Sequence, residues 1–245
     1  MKTIRVILAC VLVVGLAASC GSQGKKTATK EEEKGWTMLF DGTSAAGWRK
    51  YDSTAFPTKG WEVVDGTLHC KGSGLGEAGG PGGGDIIYDK KFSNFDLSLE
   101  WKISQGGNSG IFILAQEIPG EPIYKSSPEM QILDNERHVD AQLGTNGNHK
   151  AGSLYDLIPA NPQNTKPAGE WNQVEILCYQ GTVVYKQNGA NVVEYHLWTE
   201  DWKKMVENSK FKDWPWFVNP AREGYIGLQD HGNDVWFRNI KIKEM

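Results

Sequence analysis

Apolar residues recur at every second position along much of the chain. In residues 95–103 they occupy the odd positions, whereas Asp, Ser, Glu and Lys occupy the even ones, which is the pattern of a half-buried β-strand. Similar runs follow in NSGIFILA, PEMQILD, NQVEILCY, GYIGLQDHG and DVWFRNIKIKE. Many short strands separated by turns that contain Gly or Asn predict an all-β sandwich of antiparallel sheets.

Two segments complete this pattern. TVVYKQNGANVVEYHL predicts a β-hairpin, because Asn188 and Gly189 near its centre form the pair that type I′ turns favour. Residues 200–211, EDWKKMVENSKF, predict a short helix.

A glycine-rich stretch, KGSGLGEAGGPGGGD, contains Gly74, Gly76 and Gly79 at the spacing of a dinucleotide-binding fingerprint. That fingerprint requires a helix to begin at its last glycine, where the helix N-terminus holds the pyrophosphate. Gly80, Pro81 and three more glycines follow instead. We therefore expect a flexible loop here.

Residues 1–19 have the organisation of a bacterial secretory signal, with Lys2 and Arg5 ahead of an apolar run and small residues before Cys20. Small residues followed directly by a cysteine resemble a lipobox, although Leu16 lies one position further from Cys20 than is usual. We expect a lipid on Cys20; cleavage without lipidation is the alternative. The apolar run is too short to span a bilayer comfortably. The lipid would then hold the protein in the cell envelope, on the periplasmic face or on the outer surface of the outer membrane.

Residues 20–34 predict a flexible tether, since large apolar side chains are absent after Cys20, and residues 35–245 are enough for one folded domain. Loss of Lys2 and Arg5 with the signal leaves 24 basic and 30 acidic residues, a net charge of about −6, which argues against nucleic acid as a partner.

Nothing in the sequence indicates an oligomeric state. Cys70 and Cys178 could pair in an oxidising compartment or remain buried thiols, and no spacing indicates a metal or other cofactor.

The strand PEMQILD carries the most informative polar residues. Glu129 and Gln131 share one face of an ideal strand, whereas Met130 and Ile132 are expected to face the second sheet. Strict alternation puts Asp134 on the opposite face from Glu129, unless a bulge or the strand's end turns it back.

A second polar cluster lies in GYIGLQDHG. Gln229 and His231 alternate with apolar residues and would point into the same groove as Glu129 if the two strands share a sheet. His138, just beyond PEMQILD, is a further candidate acid or base. The remaining histidines are interpreted as surface or packing residues: His69, His149 and His196.

Three other polar residues are candidates with a structural alternative. Asn108 begins a strand and either contacts a ligand or shapes a turn. Tyr155 either packs in the core, stacks on a sugar ring or donates its proton. Arg238 alternates with the apolar residues Trp236, Ile240 and Ile242, so it is expected to have a carboxylate partner. Among the ten Trp, an exposed pair is expected at Trp214 and Trp216.

Seven blocks occur in the order found in one protein family: GWTMLFDGTSAAGW, NFDLSLEWKIS with GGNSGIF, PEMQILD, AGSLYDL, GEWNQVEI, GYIGLQDHG and VWFRNIKIKE. Together they resemble the DUF1080 family, the 3-keto-disaccharide hydrolase domain, over residues 35–245. The resemblance implies a concanavalin A-like jelly roll of two stacked antiparallel sheets, found in secreted proteins and lipoproteins of Bacteroidetes-type bacteria that degrade carbohydrate. The glycine-rich stretch at residues 72–84 departs from the family.

The resemblance also implies hydrolysis of 3-keto-glycosides. A carbonyl at C3 acidifies the C2 proton, so proton removal, elimination at C1 and hydration amount to hydrolysis. Glu129 or His231 is the expected base and His138 or Tyr155 the expected acid. Amide groups would stabilise the enolate oxygen. The expected substrate-binding residues are Asn108, Gln131, Asp134, Tyr155, Gln229 and Arg238.

Two other interpretations stay open. PEMQILD also resembles the strand of jelly-roll glycosidases whose paired carboxylates act as nucleophile and acid, but its middle acid is replaced by Gln131. The groove could instead bind carbohydrate without chemistry. A divalent metal held by Glu129, Asp134 and a histidine would be a variant of the elimination scheme, although no spacing requires it.

Overall fold

The computed structural model describes residues 35–74 and 82–245. The signal, Cys20 and the tether, as well as Gly76 and Gly79 of the glycine-rich stretch, lie outside these ranges. The described part contains thirteen strands, β1 to β13, and two helices, α1 and α2. Their bounds are Thr37–Phe40, Trp48–Lys50, Trp61–Val64, Thr67–Cys70, Ile86–Tyr88, Phe95–Ile103, Asn108–Ala115, Glu129–Leu133, Asn172–Tyr179, Thr182–Gln187, Ala190–His196, Tyr225–Leu228 and Val235–Glu244 for the strands, and Glu200–Glu207 and Pro215–Val218 for the helices.

The strands form two antiparallel sheets. The large sheet has the order β11-β10-β9-β6-β13-β4-β3, with β1 also paired to β13, and the small sheet has the order β2-β5-β12-β7-β8. Every ladder between these strands is antiparallel. The predicted all-β jelly-roll sandwich is therefore confirmed.

The core lies between the sheets and explains the alternation in the sequence. The odd residues of β6 are buried against the small sheet, and Met130, Ile132, Ile226 and Leu228 belong to the same apolar cluster. Burying each such side chain contributes on the order of 2 kcal/mol. The opposite face of the small sheet is therefore left to carry the polar residues of β8 and the end of β12.

The hairpin and the helix illustrate two local rules. Asn188 and Gly189 have φ angles of 47° and 87°, as a type I′ turn requires. Helix α1 begins after Thr199, whose hydroxyl accepts a hydrogen bond from the Trp202 amide at 3.1 Å. It ends at Glu207, before the predicted residue 211, and Ser209 then donates its hydroxyl to the Val206 carbonyl at 2.8 Å.

The environment of Arg238 corrects the alternation argument. The register of β13 against β6 shifts between Arg238 and Lys241, and Asn239 at this bulge has a φ of 53°. Phe237 and Ile240 are both buried, so the bulge reverses which face later residues occupy. Arg238 thus shares the outer face of the large sheet with Glu100, which accepts hydrogen bonds from Nε at 2.8 Å and Nη2 at 2.6 Å. The expected carboxylate partner is present, but Arg238 does not line the cavity described below.

Cys70 and Cys178 are both buried and unpaired, so the structure contains no bridge between them. Burial raises the pKa of both thiols, that of Cys178 to about 12. In the part of the chain that is described, no helix is long and apolar enough to cross a membrane.

Candidate active site

A cavity of about 340 Å³ opens on the outer face of the small sheet. One wall is polar and comes from β7, β8 and the end of β12, whereas the other is aromatic and comes mainly from the segment after α1. The lining residues are Asn108, Tyr124, Ser127, Glu129, Gln131, Tyr155, Lys210, Phe211, Trp214, Phe217, Gln229 and His231.

Sheet topology brings the polar wall together. Strands β8 and β12 both pair with β7, so the two polar segments that the sequence predicted to share a groove do share a sheet. Gly110 of β7 lies opposite Gln131. The Gly110 carbonyl accepts a hydrogen bond from the backbone N–H of Gln229 at 3.0 Å. Glu129, Gln131 and Gln229 consequently lie on one face around Gly110.

Gly110 provides the space that Glu129 occupies. A Cβ atom at position 110 would come within 2.2 Å of Glu129 Oε1. The Glu129 side chain is buried, and its carboxyl group has no hydrogen-bond partner within the described ranges. Burial, opposed by the charge of Lys210, raises the pKa of Glu129 to about 8. The group is therefore mainly a neutral carboxylic acid at neutral pH.

Three further polar atoms in this wall are buried and have no hydrogen-bond partner in the part of the chain that the structure describes. They are Asn108 Oδ1, Gln229 Oε1 and His231 Nδ1. Burial, with a smaller contribution from His138, lowers the pKa of His231 below its usual value. Buried polar atoms are nearly always hydrogen-bonded in folded proteins, so several unpaired atoms around one cavity are typical of a ligand site.

Gln131 and Asp134 have partners within the protein. Gln131 Oε1 accepts the Ile132 amide hydrogen at 3.0 Å, and its Nε2 lies 3.5 Å from Asp140 Oδ2. The carboxylate of Asp134 accepts hydrogen bonds from the amides of Gly106 and Glu136 at 2.8 and 3.1 Å. It does not line the cavity, so its predicted contact with substrate is not supported by its position. The strand ends at Leu133, and Asp134 stabilises the turns around it instead.

His138 lies behind His231. The two rings are 6.3 Å apart and nearly perpendicular, and His138 Nδ1 accepts the Asp140 amide hydrogen at 3.1 Å. Burial lowers the pKa of His138, although Asp140 and Asp134 oppose the shift. His138 does not itself line the cavity, but it contributes to the electrostatic environment of His231.

His149 is one of the histidines interpreted as surface or packing residues. The side chain is buried, and its ring nitrogens Nδ1 and Nε2 lie 2.8 Å from Asp140 Oδ1 and 2.7 Å from Asp156 Oδ1. Its ring packs 4.5 Å from that of Tyr155. His149 is therefore a buried packing residue, in agreement with one of the two interpretations. Its two carboxylate partners were not predictable, because these residues lie in loops without periodicity.

Lys210 and the aromatic wall were also outside the predicted site. Lys210 Nζ lies 4.0 Å from the centre of the Tyr155 ring. Trp214 lines the cavity and is only partly exposed, and Trp216 is 39% exposed, so the expected exposed pair is present only in part. Aromatic rings beside polar groups are common in sugar-binding cavities because they cover the apolar face of the ring. One available signal was the dense aromatic sequence FKDWPWF after α1.

Glu129 and Asp134, suggested as metal ligands, are not brought together. Across residues 35–74 and 82–245, no group of three or more His, Cys, Asp or Glu side chains is arranged to hold a metal ion.

Two stacked antiparallel sheets with a polar cavity on one outer face define a jelly-roll sandwich of the concanavalin A-like class. The profile of the family described as "3-keto-alpha-glucoside-1,2-lyase-like domain" matches residues 35–243, and the chain belongs to this family. A protein of Bacteroides thetaiotaomicron named 3-keto-disaccharide hydrolase is 44% identical, with 99% of each chain covered.

Solved structures agree with this assignment. A protein of Parabacteroides distasonis assigned as a glycosyl hydrolase is 29% identical and superposes with a TM-score of 0.76, covering 89% of this chain and 98% of its own. A second such protein from that organism is 26% identical with a TM-score of 0.65, covering 86% of this chain and 99% of its own.

Proposed function

We propose that this protein is a hydrolase that cleaves the glycosidic bond of 3-keto-disaccharides and related 3-keto-glycosides. Membership of the family and the 44% identity to a 3-keto-disaccharide hydrolase support the substrate class. The observation that carries the proposal is a set of groups around the cavity that have no hydrogen-bond partner among the described residues: the Glu129 carboxyl, His231 Nδ1, Asn108 Oδ1 and Gln229 Oε1.

The chemistry proceeds by elimination and hydration. A base removes the proton on C2, the electrons form an enolate with the C3 carbonyl, and the C1–O bond then breaks as an acid protonates the departing oxygen. Water adds to C1 of the resulting enone and a proton returns to C2. The sum is hydrolysis, with no change of oxidation state.

His231 and Glu129 suit the two proton-transfer roles. With its pKa lowered, His231 is neutral at neutral pH, and its Nδ1 atom has no partner among the described residues, so we assign it as the base. Glu129, with a pKa of about 8, retains a proton to give to the departing oxygen. We assign the role of stabilising the enolate oxygen to three donors: the side-chain NH₂ groups of Asn108 and Gln229 and the ammonium group of Lys210.

The single carboxyl group favours this scheme over a conventional glycosidase mechanism. Retaining and inverting enzymes use two carboxyl groups, about 5–5.5 Å and 6.5–9.5 Å apart respectively. Of the described residues that line the cavity, Glu129 alone carries a carboxyl group. The second candidate function is carbohydrate binding without catalysis, which the aromatic wall favours.

Incubation of the purified protein with a disaccharide before and after oxidation at C3 separates these functions. We expect only the oxidised sugar to be cleaved, and in D₂O the released 3-keto sugar should carry deuterium at C2. Because that product exchanges slowly by itself, incubation of the product alone sets the background. A C2-deuterated substrate guards against a base that returns the same proton. Binding without cleavage would leave the carbohydrate-binding function, and cleavage with neither label nor isotope effect would exclude the elimination scheme.

We further propose that the mature protein is a lipoprotein of the cell envelope, anchored through Cys20. Support comes from the signal-like pattern of residues 1–20. Palmitate fed to the producing cells should label the wild-type protein and not the Cys20→Ala variant. Label on the variant would contradict the lipid anchor.

A further inference from the structure

Asp230 lies between two residues of the cavity wall without lining the cavity itself. Its neighbours Gln229 and His231 both line the cavity. Strand β12 ends at Leu228, so regular strand pairing does not set the position of His231. The contacts of Asp230 therefore decide how this end of the polar wall is held.

One oxygen of the Asp230 carboxylate is held by the described end of the glycine-rich stretch. Asp230 is only 1% exposed, and its Oδ2 atom accepts hydrogen bonds from the backbone N–H groups of Gly83 and Gly84, each at 2.9 Å. Consecutive N–H groups that point at one anion form the kind of concavity that binds phosphate in nucleotide-binding loops. Here the anion is a carboxylate of the protein, so these glycines serve an internal contact.

The other carboxylate oxygen fixes the backbone around His231. Asp230 Oδ1 accepts a hydrogen bond from the Gly232 N–H at 2.9 Å, which closes a turn with His231 at its centre. The Asp230 N–H in turn donates to Asp85 Oδ1 at 2.9 Å. A displacement of the Asp230 side chain would therefore move His231 relative to a bound sugar.

The glycines beside Asp230 are required for this close approach. A Cβ atom at position 82 would come within 2.7 Å of Asp230 Oδ2, and one at position 83 would come within 2.6 Å of Trp61 Cδ1. Gly84 has a φ of 74°, which favours glycine. Its carbonyl accepts a hydrogen bond from Trp61 Nε1 at 2.8 Å, which ties the segment to β3. Residues 82–84 thus form a fixed support for the carboxylate.

We propose that Asp230 is a positioning residue, which is anchored by Gly83 and Gly84 and holds Gln229 and His231 in place for removal of the C2 proton. This inference rests on the proposed function for its reaction. Asp230 exchanges no proton with the substrate and acts only through its two neighbours. The glycine-rich stretch, which departs from the family, thereby supports the site from behind the polar wall.

The same loop provides a matched control. Asp234 precedes β13, does not line the cavity, and places its Oδ1 atom 2.8 Å from Nε2 of His69 in the large sheet. Asp230→Asn and Asp234→Asn thus each remove one charge from this loop, on different sides of it. Because Asp230 is the more deeply buried, Asn172→Ala serves as a control for lost stability. Asn172 is fully buried in the large sheet, and its Oδ1 atom accepts two hydrogen bonds at 2.8 Å.

We expect Asp230→Asn to lower kcat for a 3-keto-disaccharide by about 10-fold to 10²-fold, as misplacement of reacting groups does. Asp234→Asn, at a more exposed position, should change kcat by less than about twofold. Asn172→Ala should lose stability without losing kcat, when kcat is expressed per folded molecule. The isotope effect of a C2-deuterated substrate should be at least as large in Asp230→Asn as in the wild-type protein, because proton removal is the step that is slowed. Equal kcat in the two aspartate variants, or a smaller isotope effect in Asp230→Asn, would overturn the inference.

A measurement that needs no activity tests the same support from its other side. Gly82→Ala places a methyl group against Asp230 Oδ2 without removing a hydrogen-bonding group, so it also applies if Asp230→Asn does not fold. In NMR spectra of protein labelled with ¹⁵N-histidine, this change should shift the ring resonances of His231 more than those of His69. Unmoved His231 resonances would overturn the positioning role. Absence of cleavage by the wild-type protein would instead refute the proposed function, whatever the resonances show.

Discussion

The outer faces of the two sheets carry similar side chains, but they differ in how these side chains are partnered. On the large sheet, Glu100 accepts hydrogen bonds from Arg238, Glu175 pairs with Lys186, and His69 lies between two carboxylates. On the small sheet, Glu129 and His231 face a cavity, and neither carboxyl nor Nδ1 has a partner within the described ranges. Residue type alone therefore does not separate a structural surface from a site.

The difference has an energetic cost that identifies the site. Exposed ion pairs contribute about 0–1 kcal/mol each and tolerate substitution. An unpartnered buried polar group costs roughly 1–3 kcal/mol, and its retention indicates a functional use. Variants in the two faces should consequently behave in opposite ways, since site variants lose activity and can gain stability.

The largest expected effect is that of Glu129→Gln. This nearly isosteric change removes the proton that we assign to the departing oxygen, so turnover of a 3-keto-disaccharide should fall by at least about 10²-fold. Glu100→Gln, on the large sheet, is the matched control and should leave turnover unchanged. Steady-state kinetics of both variants would show whether the difference between the faces is functional; equal turnover in both would remove Glu129 from the catalytic set.

The same variant should be more stable than the wild-type protein at high pH. The pKa of Glu129 is raised from 4.5 to about 8, so between these values the folded state retains a proton that the unfolded state has lost. Stability therefore falls as pH rises through this window. Glu129→Gln abolishes that loss and should be more stable by up to about 4 kcal/mol at pH 8, with little difference at pH 4. Denaturant unfolding at both pH values measures this, and equal stability at pH 8 would contradict the raised pKa.

Period-two alternation predicted the strands that matter for the site, but not the whole fold. The strands from β6 onward are visible in the sequence because each is long enough, or regular enough, to show alternation. Strands β1 to β5 have three or four residues each, too few to distinguish a strand from a turn. Their pairing depends on tertiary contacts.

The candidate site was predictable where it depended on strand faces and not where it depended on loops. Alternation placed Glu129 and Gln131 on one face, and the shared neighbour β7 brings Gln229 to it. The prediction from alternation was wrong about the strand face that Arg238 shares with Ile240, because a bulge shifts the register of β13. The contacts of His149 with Asp140 and Asp156 were not predictable, because it lies in an irregular loop, where position along the chain says nothing about what a residue contacts.

Asp96 is an exception on the outer face of the large sheet, and it predicts a change in stability without a change in activity. Burial, followed by the charge of Glu175, raises its pKa to about 6, and its Oδ1 has no hydrogen-bond partner within the described ranges. Ionisation between pH 4 and 6 thus destabilises the folded state. Asp96→Asn should stabilise the protein by about 1 kcal/mol at pH 8, after allowance for solvent screening, and by little at pH 4, with unchanged turnover. A loss of stability at pH 8 would show that the carboxylate has a favourable role.

The smallest expected effect is that of Arg238→Lys. Arg238 makes two hydrogen bonds to Glu100 Oε2 and covers the Trp171 ring at 3.9 Å, and a lysine cannot reproduce the planar fork that makes both contacts. Because the pair is partly exposed to solvent, the loss should be no more than about 1 kcal/mol. Turnover should be unchanged, since the residue lies on the outer face of the other sheet.

In a Glu100→Gln background the Arg238→Lys change should cost less stability than in the wild-type protein, because the carboxylate partner is already absent. Urea unfolding of the four proteins gives this coupling directly. Lower kcat/KM in Arg238→Lys with normal stability would return Arg238 to the substrate-binding residues and remove the distinction between the two faces.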